Sequence, residues 1–148
     1  MDQNNHKTIA TWIHLSTFTR FIIPFGNFIG PLLLWVTNKE KSEFIDAHAK
    51  QAINFQISLL LYTMIIGLVS IPLLAFDILQ GIDFFDFNFD APIDFNLSTI
   101  SPLLFIGGSL VFLAVIAFIL ELVCVLTASL KAKEGKLYKY PLNIKFIK

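Results

Sequence analysis

Five polar side chains recur in one stretch of the sequence at the spacing of a single helix face. At 100° per residue they fall within an arc of about 120°. They are His48, Gln51, Asn54, Ser58 and Tyr62. Such imidazole, amide and hydroxyl groups can relay a proton, contact a polar substrate or line a narrow path. They can equally form static hydrogen bonds between helices, each worth about 0.6 kcal/mol in a membrane.

One carboxylate, Glu121, stands in another apolar run and is expected to join these groups. It lies ten residues before Lys131, about 15 Å along a helix, while Asn54 lies about 6 Å beyond Lys50. Antiparallel helices would bring Glu121 and Asn54 to similar depths. His14 reaches the same level if the N-terminus starts on the same side. We predict an intramembrane polar cluster of these residues. A carboxylate at such depth is a functional hypothesis by default, yet one glutamate facing one histidine is also typical of a static, satisfied pair.

The elements that position this cluster are predicted to lie in lipid. The chain is 55% hydrophobic, with sixteen phenylalanines and 15% charged residues, and its mean hydropathy is +0.70. Two runs, residues 53–76 and 103–126, each contain 24 residues. As helices they would be about 36 Å long, enough to cross a hydrocarbon core of roughly 30 Å. A 148-residue chain has too little other material to cover both in water.

A third apolar stretch, residues 9–36, is interrupted by "PFGNFIGP". Uninterrupted it would be one long span, but two prolines and two glycines argue against continuity. We favour a hairpin of two short helices, residues 9–23 and 28–36, about 22 Å and 14 Å long. Gly26 and Gly30 form a GxxxG pattern, which predicts close helix packing or marks the turn.

The last apolar run carries small residues along one face. Together with Glu121 and Cys124, this seam consists of Ala114, Ala117 and Ala128, and membrane helices pack closely along such faces. Residues 42–52 predict an amphipathic helix that leads into the run at 53–76. The predicted fold is therefore a single all-α integral membrane domain, residues 1–148, with four membrane segments.

The charge distribution predicts the orientation. Lysines dominate the tail, residues 131–148, whereas the loop at 77–101 contains five aspartates and no lysine or arginine. The positive-inside rule places the tail in the cytoplasm and the aspartate-rich loop on the far side. The tail is expected to act as an interfacial anchor to membrane lipids. The anchor residues are Lys131, Lys133, Lys136, Tyr138, Lys139 and Tyr140.

Several other functions are not indicated. The N-terminus lacks a cleavable signal pattern, the single cysteine excludes an internal disulfide, and no enzyme motif, cofactor motif or metal-ligand spacing occurs. "DFNFD" at 86–90 resembles the start of a calcium loop, but the expected glycine and final glutamate positions hold Ala91 and Leu97. "NLS" at Asn96 fits a glycosylation sequon. Nucleic-acid binding is not expected, because the basic tail directly follows a span.

Three stretches resemble a known family: "HLSTF", "GPLLLWVTNKEKSEFIDAHAKQAINFQISLLLY" and "KAKEGKLYKYPLNIKFI". They are similar to the bacterial membrane proteins of domain-of-unknown-function family 4870, grouped with the Tic-twenty-like proteins. The resemblance implies four membrane segments, both termini in the cytoplasm, a bacterial inner-membrane location and no established catalytic role. The family motif positions that recur are His14, Gly30, Pro31, His48, Asn54, Phe55, Gln56, Tyr140 and Pro141.

Two functions follow as hypotheses. The first is a non-enzymatic subunit or scaffold of a membrane assembly, with another membrane protein or a second copy as partner. The resemblance adds a translocation role by analogy, because the Tic-twenty-like proteins take their name from a chloroplast protein-import component. The second is a small transporter or channel that uses the polar cluster. The two differ in what Glu121→Gln should do: the scaffold tolerates it so long as the bundle folds, whereas the transporter loses flux while the protein still folds.

Overall fold

The computed structural model describes residues 3–81 and 102–148. Within these ranges the regular secondary structure is helical and no β-strand occurs, while residues 134–148 form an irregular tail. Helices α1 to α4 cover Gln3–Leu15, Gly26–Asn38, Glu43–Gly81 and Pro102–Lys133, with 3-10 segments at Ser16–Phe21 and Lys39–Lys41. The all-α prediction is confirmed for the described part of the chain.

Two helices are long and apolar enough to cross a membrane, Glu43–Leu73 within α3 and Phe105–Lys133 within α4. Only 11% and 17% of their most apolar stretches are buried inside the protein, so lipid is the environment that can cover the rest. They overlap the predicted segments at 53–76 and 103–126. By contrast, α1 and α2 have 13 residues each, about 20 Å, which is too short for an ordinary bilayer. Two of the four predicted membrane segments are therefore long enough to cross a bilayer, and two are not.

Helix α3 continues beyond the apolar run. It ends at Gly81, so residues 77–81 of the predicted far-side loop are helical. The sequence between Phe76 and Gly81 contains neither proline nor glycine, and Gly81 is the first residue there that favours a helix end. The "DFNFD" motif and Asn96 lie outside the described residues.

Contacts divide the chain into two units. One comprises Met1–Tyr62 and Ile119–Lys148, and we call it the packed unit. The other is Thr63–Phe118, the apolar unit. In the apolar unit large side chains such as Leu68 and Phe112 are exposed, as expected for lipid-facing helix surfaces. All candidate site contacts described below lie within the packed unit.

The chain reverses direction between α1 and α2, which forms the hairpin favoured by the sequence. Phe25 adopts a left-handed conformation with φ 60°, and α2 then runs back along the 3-10 segment. A Cβ atom at Gly26 would lie 2.4 Å from the Thr19 carbonyl carbon, and one at Gly30 would lie 2.5 Å from the Ser16 carbonyl oxygen. Both glycines therefore stand where the arms of the hairpin touch.

The 3-10 segment after α1 is stabilised by the hydroxyl groups of its threonines. Thr17 Oγ1 donates to the His14 carbonyl at 2.8 Å, and Thr19 Oγ1 donates to the Ser16 carbonyl at 2.7 Å. Hydroxyls that bond back to the preceding turn compete with regular helix geometry, and 3-10 turns are frequent at helix ends. The tightened turn carries Arg20 at its exposed end.

Two apolar clusters hold the packed unit together. One joins Ile13 of α1 with Ile45, Ala49 and Ala52 of α3, and Leu34 and Trp35 of α2 pack against it. Trp35 Nε1 also donates to Asp46 Oδ1 at 2.7 Å, and Lys50 pairs with the same carboxylate at 2.7 Å.

The second cluster consists of Phe55, Cys124, Val125, Ala128 and Tyr140. Alanines at these contacts let the helices approach closely.

Candidate functional site

A line of polar side chains crosses the packed unit and joins four segments. Arg20 Nη1 forms an ion pair with Glu121 Oε2. Glu121 Oε1 accepts a hydrogen bond from Gln56 Nε2 at 3.0 Å, and Gln56 Oε1 accepts one from Asn27 Nδ2 at 2.8 Å. We call these four residues the polar chain. It links the 3-10 segment, α2, α3 and α4, and its two amides and its carboxylate are buried.

Simple charge counting in the sequence could have predicted the ion pair. Arg20 is the single charged residue in the apolar stretch 9–36, and Glu121 is the single one in 103–126. Ionisable groups in membrane segments usually pair with each other. Taken by itself, Arg20 lies close to the predicted turn and would be expected to extend its side chain to the membrane interface. Asn27 was not singled out, and Gln56 was named only as a family motif position.

The two buried histidines belong to a separate group. Tyr140 Oη lies 2.8 Å from His14 Nδ1, and His14 Nε2 lies 2.8 Å from His48 Nδ1. We call these three residues the histidine relay. Burial raises the pKa of the Tyr140 phenol well above its ordinary value, so this tail residue stays neutral.

The histidine relay has two proton arrangements. In one, Tyr140 donates to His14, which donates to His48; in the other, both bonds are reversed. The far nitrogen, His48 Nε2, is buried and has no hydrogen-bond partner among the described residues. The edge-on ring of Phe44 lies against His48, with 4.3 Å between ring centroids. A buried nitrogen without a partner at the end of such a line is unusual and needs an explanation.

The remaining residues of the predicted polar helix face bind the C-terminal tail. We call these residues the polar stripe; they are Gln51, Asn54, Ser58 and Tyr62. Asn54 Oδ1 accepts from the backbone nitrogens of Phe146 at 3.2 Å and Ile147 at 2.8 Å, while its Nδ2 donates to the Ile147 carbonyl at 2.9 Å. Ser58 Oγ accepts from the Ile144 nitrogen at 2.9 Å. The side chains of this stripe therefore supply the hydrogen bonds that an extended backbone cannot make for itself.

The contact extends further along α3. Tyr62 Oη donates to the Leu142 carbonyl at 2.8 Å, and Asn143 Nδ2 donates to Gln51 Oε1 at 2.9 Å. Leu142 has a left-handed φ of 56°, and from there the tail runs back along α3 toward Asn54. Tyr62 lies about 18 Å along the helix from Lys50. Irregular backbone at membrane depth is stable only where protein or water satisfies it, and the stripe provides that satisfaction.

The predicted intramembrane cluster is thus divided into three groups. His14 and His48 meet in the histidine relay, Glu121 belongs to the polar chain, and the tail occupies the remaining positions, which are Gln51, Asn54, Ser58 and Tyr62. The tail was not predicted as their partner. Helical periodicity shows which side chains share a face, but it gives no information about an extended segment that binds them.

The small-residue seam is buried over part of its length. Cys124 and Ala128 are buried in the second apolar cluster and Glu121 in the polar chain, whereas Ala114 and Ala117 are exposed. The two exposed alanines belong to the apolar unit. The seam therefore makes its described contacts at the end of α4 that carries the polar chain.

The predicted anchor residues occupy different environments. Lys131 and Lys136 lie 3.4 Å and 3.1 Å from Glu134, and these lysines lower the pKa of its carboxyl group. Lys133 and Lys139 are exposed. Tyr138 contacts Tyr140 edge-on. Tyr140 itself is buried and stacks on Phe55 with 4.3 Å between ring centroids, so it packs in the protein interior.

Within 3–81 and 102–148, no group of three or more histidine, cysteine, aspartate or glutamate side chains could hold a metal ion. The two nitrogens that His14 and His48 would need to share a metal ion are instead hydrogen-bonded to each other at 2.8 Å. What these side chains can do chemically is hold the segments together and pass a proton along the histidine relay.

Fold and site together define a small helical membrane protein whose short hairpin and tail are fixed by buried polar contacts. The chain belongs to the MamF/MmsF family, described as the magnetosome magnetite crystal formation protein family, whose model matches residues 5–147. The resemblance to the Tic-twenty-like family 4870 is therefore wrong, and the translocation role that depended on it has no support. No curated protein and no solved structure matches the chain.

Proposed function

We infer that this chain is a non-enzymatic membrane subunit that takes part in magnetosome magnetite crystal formation. Membership of the MamF/MmsF family over residues 5–147 supports the process, and the two apolar helices support a location in the membrane. The magnetosome membrane, or the inner membrane from which it would derive, is the proposed site of action. The lysine-rich tail favours cytoplasmic termini by the positive-inside rule.

The observation that supports the scaffold function is that the polar chain is continuous. Arg20, Glu121, Gln56 and Asn27 bond to one another across four segments. A proton or substrate carrier needs groups that exchange partners, whereas a fully connected network makes a structure rigid. A rigid bundle suits a protein that positions other membrane components, either a different protein or a second copy.

A second candidate is a proton path. The histidine relay supports it, because two histidines and a tyrosine are joined nitrogen to nitrogen and nitrogen to oxygen at 2.8 Å, and one terminal nitrogen has no partner among the described residues. Groups connected in this way can transfer a proton by reversing both hydrogen bonds. This function would require the relay to be extended by water or by another chain.

Complementation would test the proposed process. The tagged chain is introduced into a magnetosome-forming bacterium that lacks its own family member. We expect it to fractionate with the magnetosome membrane and to restore magnetite crystal size, measured by electron microscopy. The variant Gly107→Ala should restore the crystals as well as the unchanged chain does, because a Cβ at Gly107 meets no atom of the described chain within 4 Å. Crystals that stay unchanged despite correct location of the protein would contradict the proposal.

Reconstitution would separate the scaffold from the proton path. The purified chain is placed in liposomes with a pH gradient and an internal pH dye. The scaffold function predicts the same leak as protein-free liposomes, and it predicts a membrane partner in mild-detergent purification after crosslinking. Proton flux that disappears in His48→Gln, but persists in Asn38→Gln, would instead establish the proton path.

A further inference from the structure

A groove lies between α1 and the C-terminal end of α4. Its volume is about 420 Å³, and its lining includes Lys7, Thr8, Thr11, Trp12, Leu15 and Lys133. Thr11 Oγ1 lies 3.5 Å from the Ser129 carbonyl, and the Lys7 side chain crosses over Gly135. The two helices are therefore in contact along one edge of this partly open groove, which lies within the packed unit.

The groove changes from charged to apolar along its length. Lys7 and Lys133 lie at one end, and in the part of the chain that the structure describes neither has an acidic group within 4 Å. Trp12 and Leu15 lie at the other end, one to two turns further along α1, about 8–12 Å away. Trp12 is 58% exposed. A tryptophan in such a position is typical of the membrane interface.

The direction of this change matches the bilayer. Lys133 lies in the last turn of a candidate spanning helix, and Ser129, one turn deeper, contacts Thr11 of α1. Moving from Lys7 to Trp12 therefore follows α4 into the membrane. A phospholipid has the same order of groups, a charged phosphate at the surface and acyl chains below it. Basic pockets between helices on the cytoplasmic side bind such head groups.

The threonines indicate what else the head group should carry. Thr8 Oγ1 donates to the Asn4 carbonyl at 2.9 Å and Thr11 Oγ1 donates to the Lys7 carbonyl at 2.8 Å. Their hydroxyl protons are occupied, so each oxygen can still accept a hydrogen bond from a donor in the groove. A head group with hydroxyl donors beside its phosphate complements them, and a choline head group does not.

We propose that this groove binds one molecule of an anionic phospholipid of the phosphatidylglycerol type. The phosphate lies between Lys7 and Lys133, the glycerol hydroxyls donate to Thr8 and Thr11, and the upper part of an acyl chain packs on Trp12 and Leu15. The site is distinct from the general attraction of the lysine-rich tail to anionic lipid, because it uses α1 and needs both helices.

Native mass spectrometry of the full chain in mild detergent would test the site by titration with phosphatidylglycerol or phosphatidylcholine. We expect one saturable phosphatidylglycerol molecule per chain and binding of phosphatidylcholine at least tenfold weaker. The double variant Lys7→Gln/Lys133→Gln should bind phosphatidylglycerol about 30-fold more weakly, from about 1 kcal/mol per lysine near anionic lipid. The matched double variant Lys139→Gln/Lys148→Gln loses the same charge elsewhere and should change affinity less than twofold.

Three results would overturn the proposal. Equal weakening in both double variants would mean that diffuse charge, without a site, attracts the lipid. Equal binding of the two lipids would remove the role of the phosphate charge and the threonines. Complete competition by millimolar inorganic phosphate would assign the groove to a small anion. Trp12→Ala provides a further check, since it should weaken lipid binding several-fold, and an unchanged lipid affinity would contradict the acyl contact.

Discussion

Replacing Asn54 with leucine should release the C-terminal tail from α3. The substitution keeps a side chain of similar size but removes all three hydrogen bonds to Phe146 and Ile147. At about 0.6 kcal/mol per hydrogen bond in a membrane protein, the docked state loses about 2 kcal/mol. That value corresponds to about a 30-fold rise in the population of the undocked tail. The leucine itself is compatible with a lipid-embedded helix, so α3 should remain inserted.

Hydrogen exchange measured by mass spectrometry in nanodiscs would report the release. Protection of the backbone amides in residues 142–148 should fall by the same factor of about 30, while peptides from α4 should keep their exchange rates. Asn38→Leu is the matched control, because in the described part of the chain the side chain of Asn38 forms its hydrogen bonds with Leu34, Thr37 and Lys41. Unchanged tail protection in Asn54→Leu, or an equal loss in Asn38→Leu, would refute the argument that the stripe holds the tail.

Three other substitutions test the packed unit, each by thermal unfolding in detergent. Gly26→Ala should destabilise the chain by more than about 2 kcal/mol because its Cβ would overlap the Thr19 backbone, whereas Gly107→Ala should be neutral or slightly stabilising; equal effects would contradict the close hairpin contact. Glu121→Gln should cost about 1–3 kcal/mol because it leaves Arg20 unpaired, less than a fully buried pair since that side chain is 36% exposed. The double variant with Arg20→Met should recover much of this loss, and strict additivity would argue against coupling. Tyr140→Phe should cost about 1 kcal/mol, the value of one hydrogen bond to His14, and a far larger loss would show that the relay does more than fix the tail.

The helices and the hairpin could be predicted because their signals are local. The apolar runs at 53–76 and 103–126 are long enough to identify α3 and α4 by themselves. The turn near Pro24 combines a proline, two glycines and short flanking helices, and each of these features acts within a few residues. The extent of α1 toward Gln3 was not expected, since its first two turns are polar and apolar periodicity is weak there.

The polar contacts were harder to predict because their partners are distant in sequence. The amide of Asn54 clearly needed a partner, but an extended backbone 92 residues away has no side-chain pattern that identifies it. Tyr140 looked like an interfacial residue because lysines surround it in sequence. Its stacking on Phe55 depends on how the tail folds back onto α3, which no local pattern indicates. The pairing of Arg20 with Glu121 was within reach, since opposite charges that stand alone in apolar stretches have few other ways to be satisfied.

The docking of the tail on α3 sets an order of events during biosynthesis. Ribosomes add about 5–20 residues per second, so the 92 positions that separate Asn54 from Phe146 take about 5–20 s to translate. Throughout that interval α3 is complete, yet the backbone groups that satisfy Asn54, Ser58 and Tyr62 do not exist. We therefore expect the nascent helix to keep this face toward water, the insertion machinery or another protein until the tail is made, because unpaired polar groups in lipid cost free energy.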